Sequence, residues 1–179
     1  IISDSEAVIA VVETTAMADV VEALRTDLPS CRDVLTIDAG ALDELESRAV
    51  TVDDAVIDQR IADLGVDSIA TIIYTSGTTG RPKGCVLTHG NLRANVAQAL
   101  DALGPELRPG DTGLLFLPLA HALTKGNALF GAEADITIGF ASDIAHLVDE
   151  LQMYRPTTMA AVPRIFEKVY NTASHTAHR

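Results

Sequence analysis

The chain has 179 residues, of which 47% are apolar, and its mean hydropathy of +0.22 excludes an extensively disordered protein. Its formal net charge is −12, and no cluster of Lys and Arg interrupts the acidic background, which excludes a broad nucleic-acid-binding surface and disfavours docking to anionic lipid. The cysteines Cys31 and Cys85 show no metal-ligand spacing, so we predict no metal site, and no apolar run is long enough to span a bilayer.

The first part of the chain alternates strand-like and helix-like segments. Continuous apolar runs at residues 7–12 (AVIAVV) and 68–74 (SIATIIY), with a shorter run at 33–37 (DVLTI), predict three buried strands. The apolar spacing over residues 19–28 predicts a helix between the first two strands. The acidic stretch 41–64 has weaker periodicity, so we predict an exposed loop there with one or two helical pieces.

The same alternation continues to the end of the chain. Further strands are predicted at residues 112–117, 135–140 and 158–162. Helices are predicted after Thr88 or Asn91, from His121 to Gly131, after Ser142 or Asp143, and from Pro163. Repeated alternation is typical of βαβ units, so we predict an α/β fold in which a mostly parallel sheet carries helices on both faces.

A glycine- and threonine-rich loop follows the third predicted strand and reads YTSGTTGRPKG from Tyr74 to Gly84. Glycines allow positive φ and a close approach of the backbone to a ligand, hydroxyls donate hydrogen bonds, and successive amides can form an anion-binding concavity. The glycines are Gly77, Gly80 and Gly84, the hydroxyls belong to Thr75, Ser76, Thr78 and Thr79, and the cations are Arg81 and Lys83. This combination predicts a polyphosphate-binding loop in an otherwise acidic chain.

Two other interpretations of the loop fit less well. A surface turn with two incidental cations would share part of the pattern, but eleven specified positions stand here between a buried strand and a capped helix. A Walker A loop ends in Gly-Lys-Ser/Thr, whereas Lys83 is followed by Gly84 and Cys85. No hydroxyl therefore stands at the Mg²⁺-binding position, which disfavours an ordinary P-loop NTPase.

Three segments of the sequence resemble one enzyme family. The segment YTSGTTGRPKGCVLTHGNL (74–92) resembles the phosphate-binding signature of the adenylate-forming superfamily, which includes acyl-CoA synthetases, luciferases and amino-acid adenylating domains. LFLPLAH (115–121) resembles the second core motif of long-chain acyl-CoA synthetases, and VPRIFEKVYN (162–171) resembles a stretch typical of that branch. Bacterial long-chain fatty-acid–CoA ligases look most similar.

The resemblance implies a reaction in two steps. A fatty-acid carboxylate attacks the α-phosphorus of ATP, which gives acyl-AMP and pyrophosphate, and the thiol of coenzyme A then takes the acyl group and releases AMP. Mg²⁺ accompanies the ATP. The residues implied to hold the β- and γ-phosphates are Thr75, Ser76, Gly77, Thr78, Thr79, Gly80 and Lys83, with Lys83 also counted as catalytic.

Outside the loop, the resemblance assigns fewer residues. His121 matches a position near the carboxylate of the acyl substrate, so we count it as catalytic; the alternative is a helix-start histidine bonded to a local carbonyl. The loop at Thr75 and the turn before His121 both follow strands and are expected to line one crevice, because ligands of such sheets bind beyond the carboxyl ends of strands. Arg164 either reaches that crevice or pairs with Glu167.

The family motifs that bind Mg²⁺ and ribose, and the lysine of a small C-terminal domain, are not found in the chain. We therefore expect residues 1–179 to be a partial N-terminal AMP-binding domain, incomplete at both ends and inactive alone. The expected partners are fatty acid, ATP and coenzyme A, the expected location is the cytoplasm, and peripheral membrane contact, chain-length preference and oligomeric state stay open. Alternative functions are an acyl-AMP ligase that loads a carrier protein, a nonenzymatic nucleotide-binding domain and a flavodoxin-like phosphate-binding protein.

Overall fold

Helices and strands alternate along the chain, and the strands pair in twos. The structure is a computed structural model that describes residues 1–76 and 80–177, and it divides into a first unit, Ile1–His89, and a second unit that begins at Gly90. Three two-stranded sheets are present in the described residues, two of them parallel and one antiparallel. The α/β class with parallel strands is thereby confirmed, although the described strands form separate pairs.

The first unit opens with a βαβ arrangement. Strands β1 (Ile9–Val12) and β2 (Asp33–Thr36) are parallel, and helix α1 (Thr15–Ala23) lies between them in sequence. Thr14 caps α1, because its side chain accepts a hydrogen bond from the amide of Met17 at 3.4 Å. Ala10, Val21, Leu28 and Cys31 form a buried cluster in this arrangement, and Leu35 of β2 is buried as well.

The acidic stretch forms two helices, as predicted. These are α2 (Ala41–Ala49) and α3 (Asp54–Ala62). Arg48 ties α2 to β2, since its guanidinium lies 3.1 Å from the carboxylate of Asp33 and 2.5 Å from that of Glu44.

The predicted loop over residues 75–84 is wrong in its extent, because much of it is strand. Strand β3 (Ile69–Ser76) pairs with the antiparallel strand β4 (Pro82–Thr88), and the two form a β-hairpin. Thr75 and Ser76 end β3, and Pro82 begins β4. Helix α4 (His89–Leu103) follows β4 directly, so Asn91 lies inside the helix and not at its cap.

The second unit contains another parallel pair. Strands β5 (Thr112–Leu115) and β6 (Thr137–Phe140) are connected through helix α5 (Ala122–Glu133). Helices α6 (Leu147–Tyr154) and α7 (Pro163–Ala177) follow, and α7 begins at the predicted proline. Leu114, Phe116, Leu147 and Ile165 form a buried cluster in this unit.

The strand predicted at residues 158–162 is wrong. The segment makes one parallel bridge, between Gly113 and Thr158. Next to it the hydroxyl of Thr157 accepts from the amide of Thr112 at 2.9 Å and donates to the carbonyl of Thr112 at 3.2 Å, and this carbonyl also accepts from the backbone amides of Thr157 and Thr158 at 3.0 Å. The amide of Thr112 is therefore bonded to a side chain and not to a backbone carbonyl of the segment, and α7 begins soon afterwards at Pro163. Within the described residues, no helix combines the length and apolar composition that crossing a membrane requires.

Candidate functional site

The β3–β4 hairpin presents the predicted phosphate-binding residues at its closed end. Thr75 stands directly opposite Lys83, and Ser76 stands opposite Pro82. Directly opposed residues project from the same face of a two-stranded sheet, so the hydroxyl of Thr75 and the ammonium of Lys83 share one face. Of the seven predicted phosphate-binding residues, Gly77, Thr78 and Thr79 lie outside the described residues.

The described part of the hairpin tip is exposed and positively charged. Thr75, Ser76, Gly80, Arg81 and Lys83 all lie at the surface. In the described chain neither Arg81 nor Lys83 forms an ion pair with a carboxylate, although the formal net charge of the protein is −12. Cations without a carboxylate partner remain available to an anionic ligand, and a cation beside backbone amides favours phosphate oxygens.

Gly80 and Gly84 are required for different reasons. Gly80 has φ +82°, in the left-handed region that favours glycine, and among the described residues no atom other than those of its chain neighbours lies within 4 Å of the position that a Cβ would take. Gly84 was predicted to supply positive φ as well, and that reason is wrong. A Cβ on Gly84 would lie 2.9 Å from Cγ2 of Ile72 and 3.0 Å from Cζ of Tyr74, so glycine is needed there for close approach.

A contact that sequence reasoning missed involves Tyr74, at the base of the hairpin tip. Its hydroxyl donates a hydrogen bond to Oδ2 of Asp4 over 2.5 Å. This bond to Asp4, with a smaller contribution from burial, raises the pKa of Tyr74 above its ordinary value of 10.0. The two residues are 70 positions apart, and no periodicity or motif connects them.

His121 lies at the N-terminus of α5 and begins the helix as predicted. Its backbone amide donates to the carbonyl of Pro118 at 3.0 Å, and its own carbonyl accepts from the amide of Lys125 at 3.0 Å. The imidazole is exposed and makes no hydrogen bond with the described residues. The backbone alone therefore forms the local helix-start bonds, and the side chain is available to a ligand.

A small cavity lies behind the start of α5 in the second unit. Its volume is about 10 Å³, enough for one water-sized molecule. The lining residues are Leu115 to Leu117, Leu123, Thr124, Asn127 and Ala160. The polar side chains of the wall are Thr124, which is only 3% exposed, and Asn127, so the cavity has a mixed polar and apolar lining.

Two further predictions concern charged groups. Arg164 is exposed on α7 and forms no ion pair with Glu167, so of its two alternatives the salt bridge is wrong and a place in the crevice stays a prediction. In the part of the chain that the structure describes, no group of three His, Cys, Asp or Glu side chains is placed to hold a metal ion. The crevice expected to join the hairpin and the turn before His121 stays a prediction.

Comparisons with known proteins identify the family of the chain. A family model described as "AMP-binding enzyme" matches residues 1–179. The long-chain-fatty-acid–CoA ligase FadD15 of Mycobacterium tuberculosis is 43% identical over 180 residues, which cover 99% of this chain and 30% of the relative. The peroxisomal long chain acyl-CoA synthetase 7 of Arabidopsis thaliana is 44% identical over 106 residues, or 59% of this chain and 15% of that protein.

Solved structures show the same fold. ATP-bound MatB from Rhodopseudomonas palustris superposes with a TM-score of 0.72 at 27% identity, covering 94% of this chain and 32% of MatB. The N-terminal domain of FACL13 from Mycobacterium tuberculosis superposes with a TM-score of 0.62 at 25% identity, covering 94% of this chain and 41% of that domain. The chain spans about 30% of the length of the FadD15 relative. The signature hairpin, the full-length family match and these relatives lead to one assignment: the chain belongs to the AMP-binding enzyme family of adenylate-forming proteins.

Proposed function

We propose that this chain is the ATP-polyphosphate-binding part of a long-chain fatty-acid–CoA ligase. The observation that carries the proposal is the exposed tip of the β3–β4 hairpin, where Lys83 faces Thr75 across the strand pair and has no carboxylate partner among the described residues. Relatives named long-chain-fatty-acid–CoA ligase and long chain acyl-CoA synthetase support the class of substrate.

In the first step the hairpin handles charge. The fatty-acid carboxylate oxygen forms a bond to the α-phosphorus of ATP while the bond from that phosphorus to the bridging oxygen breaks, and pyrophosphate carries the electron pair away. Lys83, the hydroxyls of Thr75 and Ser76 and the backbone at Gly80 stabilise the charge that grows on the β- and γ-phosphates. Gly77, Thr78 and Thr79 belong to the same proposed set.

His121 is proposed to bind at the other end of the reaction, near the carboxylate of the acyl substrate. Its exposed imidazole, without a hydrogen-bond partner in the described residues, fits a donor to a carboxylate or acyl carbonyl oxygen. In the second step the thiolate of coenzyme A attacks the acyl carbonyl and AMP leaves. Mg²⁺, when bound with ATP, supplies further charge neutralisation on the phosphates.

Residues 1–179 are proposed to be a partial N-terminal domain of this enzyme, and adenylation is proposed to need the rest of it. The test is ATP–pyrophosphate exchange with a panel of fatty acids, run on the 179-residue chain and on the full-length enzyme. We expect exchange with the full-length enzyme only. Exchange by the isolated chain at the full-length rate would refute the domain proposal, and a full-length enzyme that exchanges with no carboxylic acid would refute the activity.

The role of Lys83 has its own test in the full-length enzyme. Lys83→Met removes a charge that acts on the leaving pyrophosphate, so we expect exchange to fall by roughly ten- to a thousandfold, as for removal of one transition-state stabilising group. Arg93→Met is the matched control, because it removes an exposed cation of α4 and leaves the hairpin intact. Equal losses in the two variants would assign the effect to net charge and not to the site.

The acceptor and the location complete the proposal. Coenzyme A is favoured over a carrier protein because the relatives are named as CoA ligases and synthetases. Incubating the full-length enzyme with ATP, a fatty acid and either acceptor separates the two reactions by their products. A cytoplasmic location is proposed from the acidic composition, and cell fractionation tests it.

A further inference from the structure

The side chain of Tyr74 lies across the stem of the hairpin. In the register of the strand pair Tyr74 stands opposite Gly84, one pair below Thr75 and Lys83. A Cβ on Gly84 would lie 3.0 Å from Cζ and 3.2 Å from Oη of Tyr74, so the phenol ring occupies the space that the glycine leaves free. Tyr74 therefore covers the opposite strand immediately next to the proposed phosphate ligands.

The hydroxyl of this ring reaches the N-terminal segment of the chain. It donates to the Asp4 carboxylate at 2.5 Å, and a hydrogen bond to an ionised acceptor is among the stronger kinds. This hydrogen bond, followed by burial and by the charge of Asp4, raises the pKa of Tyr74, so the phenol keeps the proton that makes the bond. The hairpin stem and the chain start, 70 residues apart, are joined at this point.

Asp4 is itself held by a packed body. It lies in a turn closed by bonds from the amide of Ser5 to the carbonyl of Ile1 at 2.9 Å and from the amide of Ala7 to the carbonyl of Ile2 at 3.2 Å. Ile2 packs against the buried cluster between β1, β2 and α1. Contacts therefore run from that core through Ile2 and Asp4 to Tyr74, all within the first unit.

The stem needs an attachment of this kind. An isolated two-stranded hairpin is marginally stable in water, and two residues of β4 weaken this one close to its tip. Pro82, opposite Ser76, has no backbone N–H to donate, and Gly84, opposite Tyr74, has no side chain to pack. In this chain the residues from Thr75 to Ser76 and from Gly80 to Cys85 are all exposed, so burial against the rest of the 179 residues does not hold them.

We propose that Tyr74 and Asp4 are positioning residues, which fasten the hairpin stem to the β1–β2 core and so reduce the ordering cost when the tip binds the polyphosphate of ATP. The inference rests on the proposed function, because it assigns the ligand of the hairpin tip to ATP. Neither residue touches the reacting atoms. They reduce the conformational entropy that the hairpin loses when ATP binds. Because this loss subtracts from the free energy of binding, reducing it raises the affinity for ATP.

The test uses the full-length enzyme and the variants Tyr74→Phe, Asp4→Ala, Asp4→Asn and the Tyr74→Phe/Asp4→Ala double variant. Tyr74→Phe keeps the ring over Gly84 and removes the hydroxyl alone, and Asp4→Asn keeps an oxygen acceptor. Tyr154→Phe is the matched control: a Cβ on Gly139 would lie 2.8 Å from Cζ of Tyr154, and the Tyr154 hydroxyl donates to the Thr137 carbonyl at 3.1 Å, in the second unit.

We expect Tyr74→Phe and Asp4→Ala each to raise the KM for ATP by roughly three- to tenfold, the effect of one net hydrogen bond, with kcat and the KM for fatty acid nearly unchanged. The double variant should equal the single ones, because both remove the same bond. Asp4→Asn should restore most of the affinity, and Tyr154→Phe should leave the KM for ATP unchanged. Hydrogen exchange without ATP should accelerate at the β3 and β4 amides in Tyr74→Phe, in Asp4→Ala and, to the same extent, in the double variant, and it should not accelerate in Tyr154→Phe.

Three results would overturn the inference: unchanged exchange at the hairpin amides, additive effects in the double variant, or a parallel fall in kcat and rise in both KM values, which indicates general destabilisation. A wild-type enzyme without ATP–pyrophosphate exchange would refute the proposed function instead. In that case hydrogen exchange of the same variants still decides whether Tyr74 and Asp4 fasten the stem, and titration with ATP decides whether the tip binds it.

Discussion

Two glycines four positions apart carry different constraints, and the difference has consequences for substitution. At Gly80 the backbone conformation, φ +82°, excludes most side chains, while the space around it is open. At Gly84 the backbone is ordinary and the space is filled by Ile72 and Tyr74. A sequence motif records both positions as glycine, and only the geometry separates the two causes.

Gly84→Ala should therefore destabilise the hairpin more than Gly80→Ala. The added methyl group at residue 84 must displace the Tyr74 ring, which costs about 1–3 kcal/mol in overpacked sites. Gly80→Ala costs about 1 kcal/mol for a left-handed alanine, and Gly80→Asn should recover part of it. Hydrogen exchange of the β3 and β4 amides measures the free energy of opening. Equal effects of the two alanine substitutions would contradict the assignment of the Gly84 constraint to the tyrosine ring.

At the scale of single elements, strands and helices with clear periodicity were predictable. β1, β2, β3, β5 and β6 each correspond to an apolar run, and α7 begins at its proline. β4 was not predictable in the same way, because Pro82 and Gly84 are residues typical of turns. They lie in a strand here because they pair with Ser76 and Tyr74 of β3. The reverse happened near Thr158, where an apolar run became a single bridge because the hydroxyl of Thr157 bonds with Thr112.

The candidate site was predictable in part for the same reason. A long motif predicts which residues share a loop, so Thr75, Ser76, Gly80 and Lys83 could be named as candidates, whereas the cross-strand register of Thr75 with Lys83 could not be predicted. The bond between Tyr74 and Asp4 could not be predicted, because it joins segments whose only relation is three-dimensional packing.

Helix α6 carries a pH-dependent pair at its N-terminus. The amide of His146 donates to Oδ1 of Asp143 at 2.8 Å, and the imidazole Nδ1 lies 2.9 Å from Oδ2. The hydrogen bond from the backbone amide of His146, followed by that from its imidazole, lowers the pKa of Asp143 from its ordinary value of 3.8. The hydrogen bond to Asp143 raises the pKa of His146 from its ordinary value of 6.5, with smaller contributions from Asp149 and Glu150.

The sign of the effect follows for each partner. Asp143 contributes to the stability of the fold above pH 3.8, and this contribution is lost as pH falls through the lowered pKa of Asp143. His146 contributes to stability below pH 6.5, and this contribution is lost as pH rises through the raised pKa of His146. The pair should stabilise the start of α6 most between these values. NMR titration of the His146 ring should show a lower pKa in Asp143→Asn than in wild type. An unchanged titration would show that the pair does not form in solution.

At the scale of the whole molecule, the chain leaves much surface uncovered. Two compact folded domains, each with half of the mass of 18.9 kDa, would together have an accessible surface of roughly 10,000 Å². The chain exposes 12,972 Å², and large apolar side chains contribute to the excess. Exposed examples on strands and helices are Val11, Ile57, Ile61, Ile69, Val86 and Phe140. Apolar surface of this extent normally lies against other protein.

The isolated 179-residue chain should therefore bind a dye that fluoresces on apolar surfaces, and bind more of it per molecule than the full-length enzyme does. Val86→Thr, which keeps the branched shape of an exposed β4 residue and replaces one methyl group by a hydroxyl, should lower the signal of the isolated chain and change that of the full-length enzyme little. The measurement is a dye titration at equal molar concentrations. Equal signals from both proteins would show that these faces are not covered in the longer enzyme.

The hairpin also suits footprinting by trypsin, which cuts after Arg and Lys, because Arg81 stands just before Pro82 and Lys83 lies in the strand that begins there. Trypsin cuts poorly before proline, so the bond after Arg81 resists it, whereas the bond after Lys83 is chemically susceptible and lies within a strand that must separate before the enzyme can engage it. The rate of cleavage after Lys83 therefore reports how often the strands separate, and a nucleotide bound at the tip would lower that rate, with no label attached to the protein.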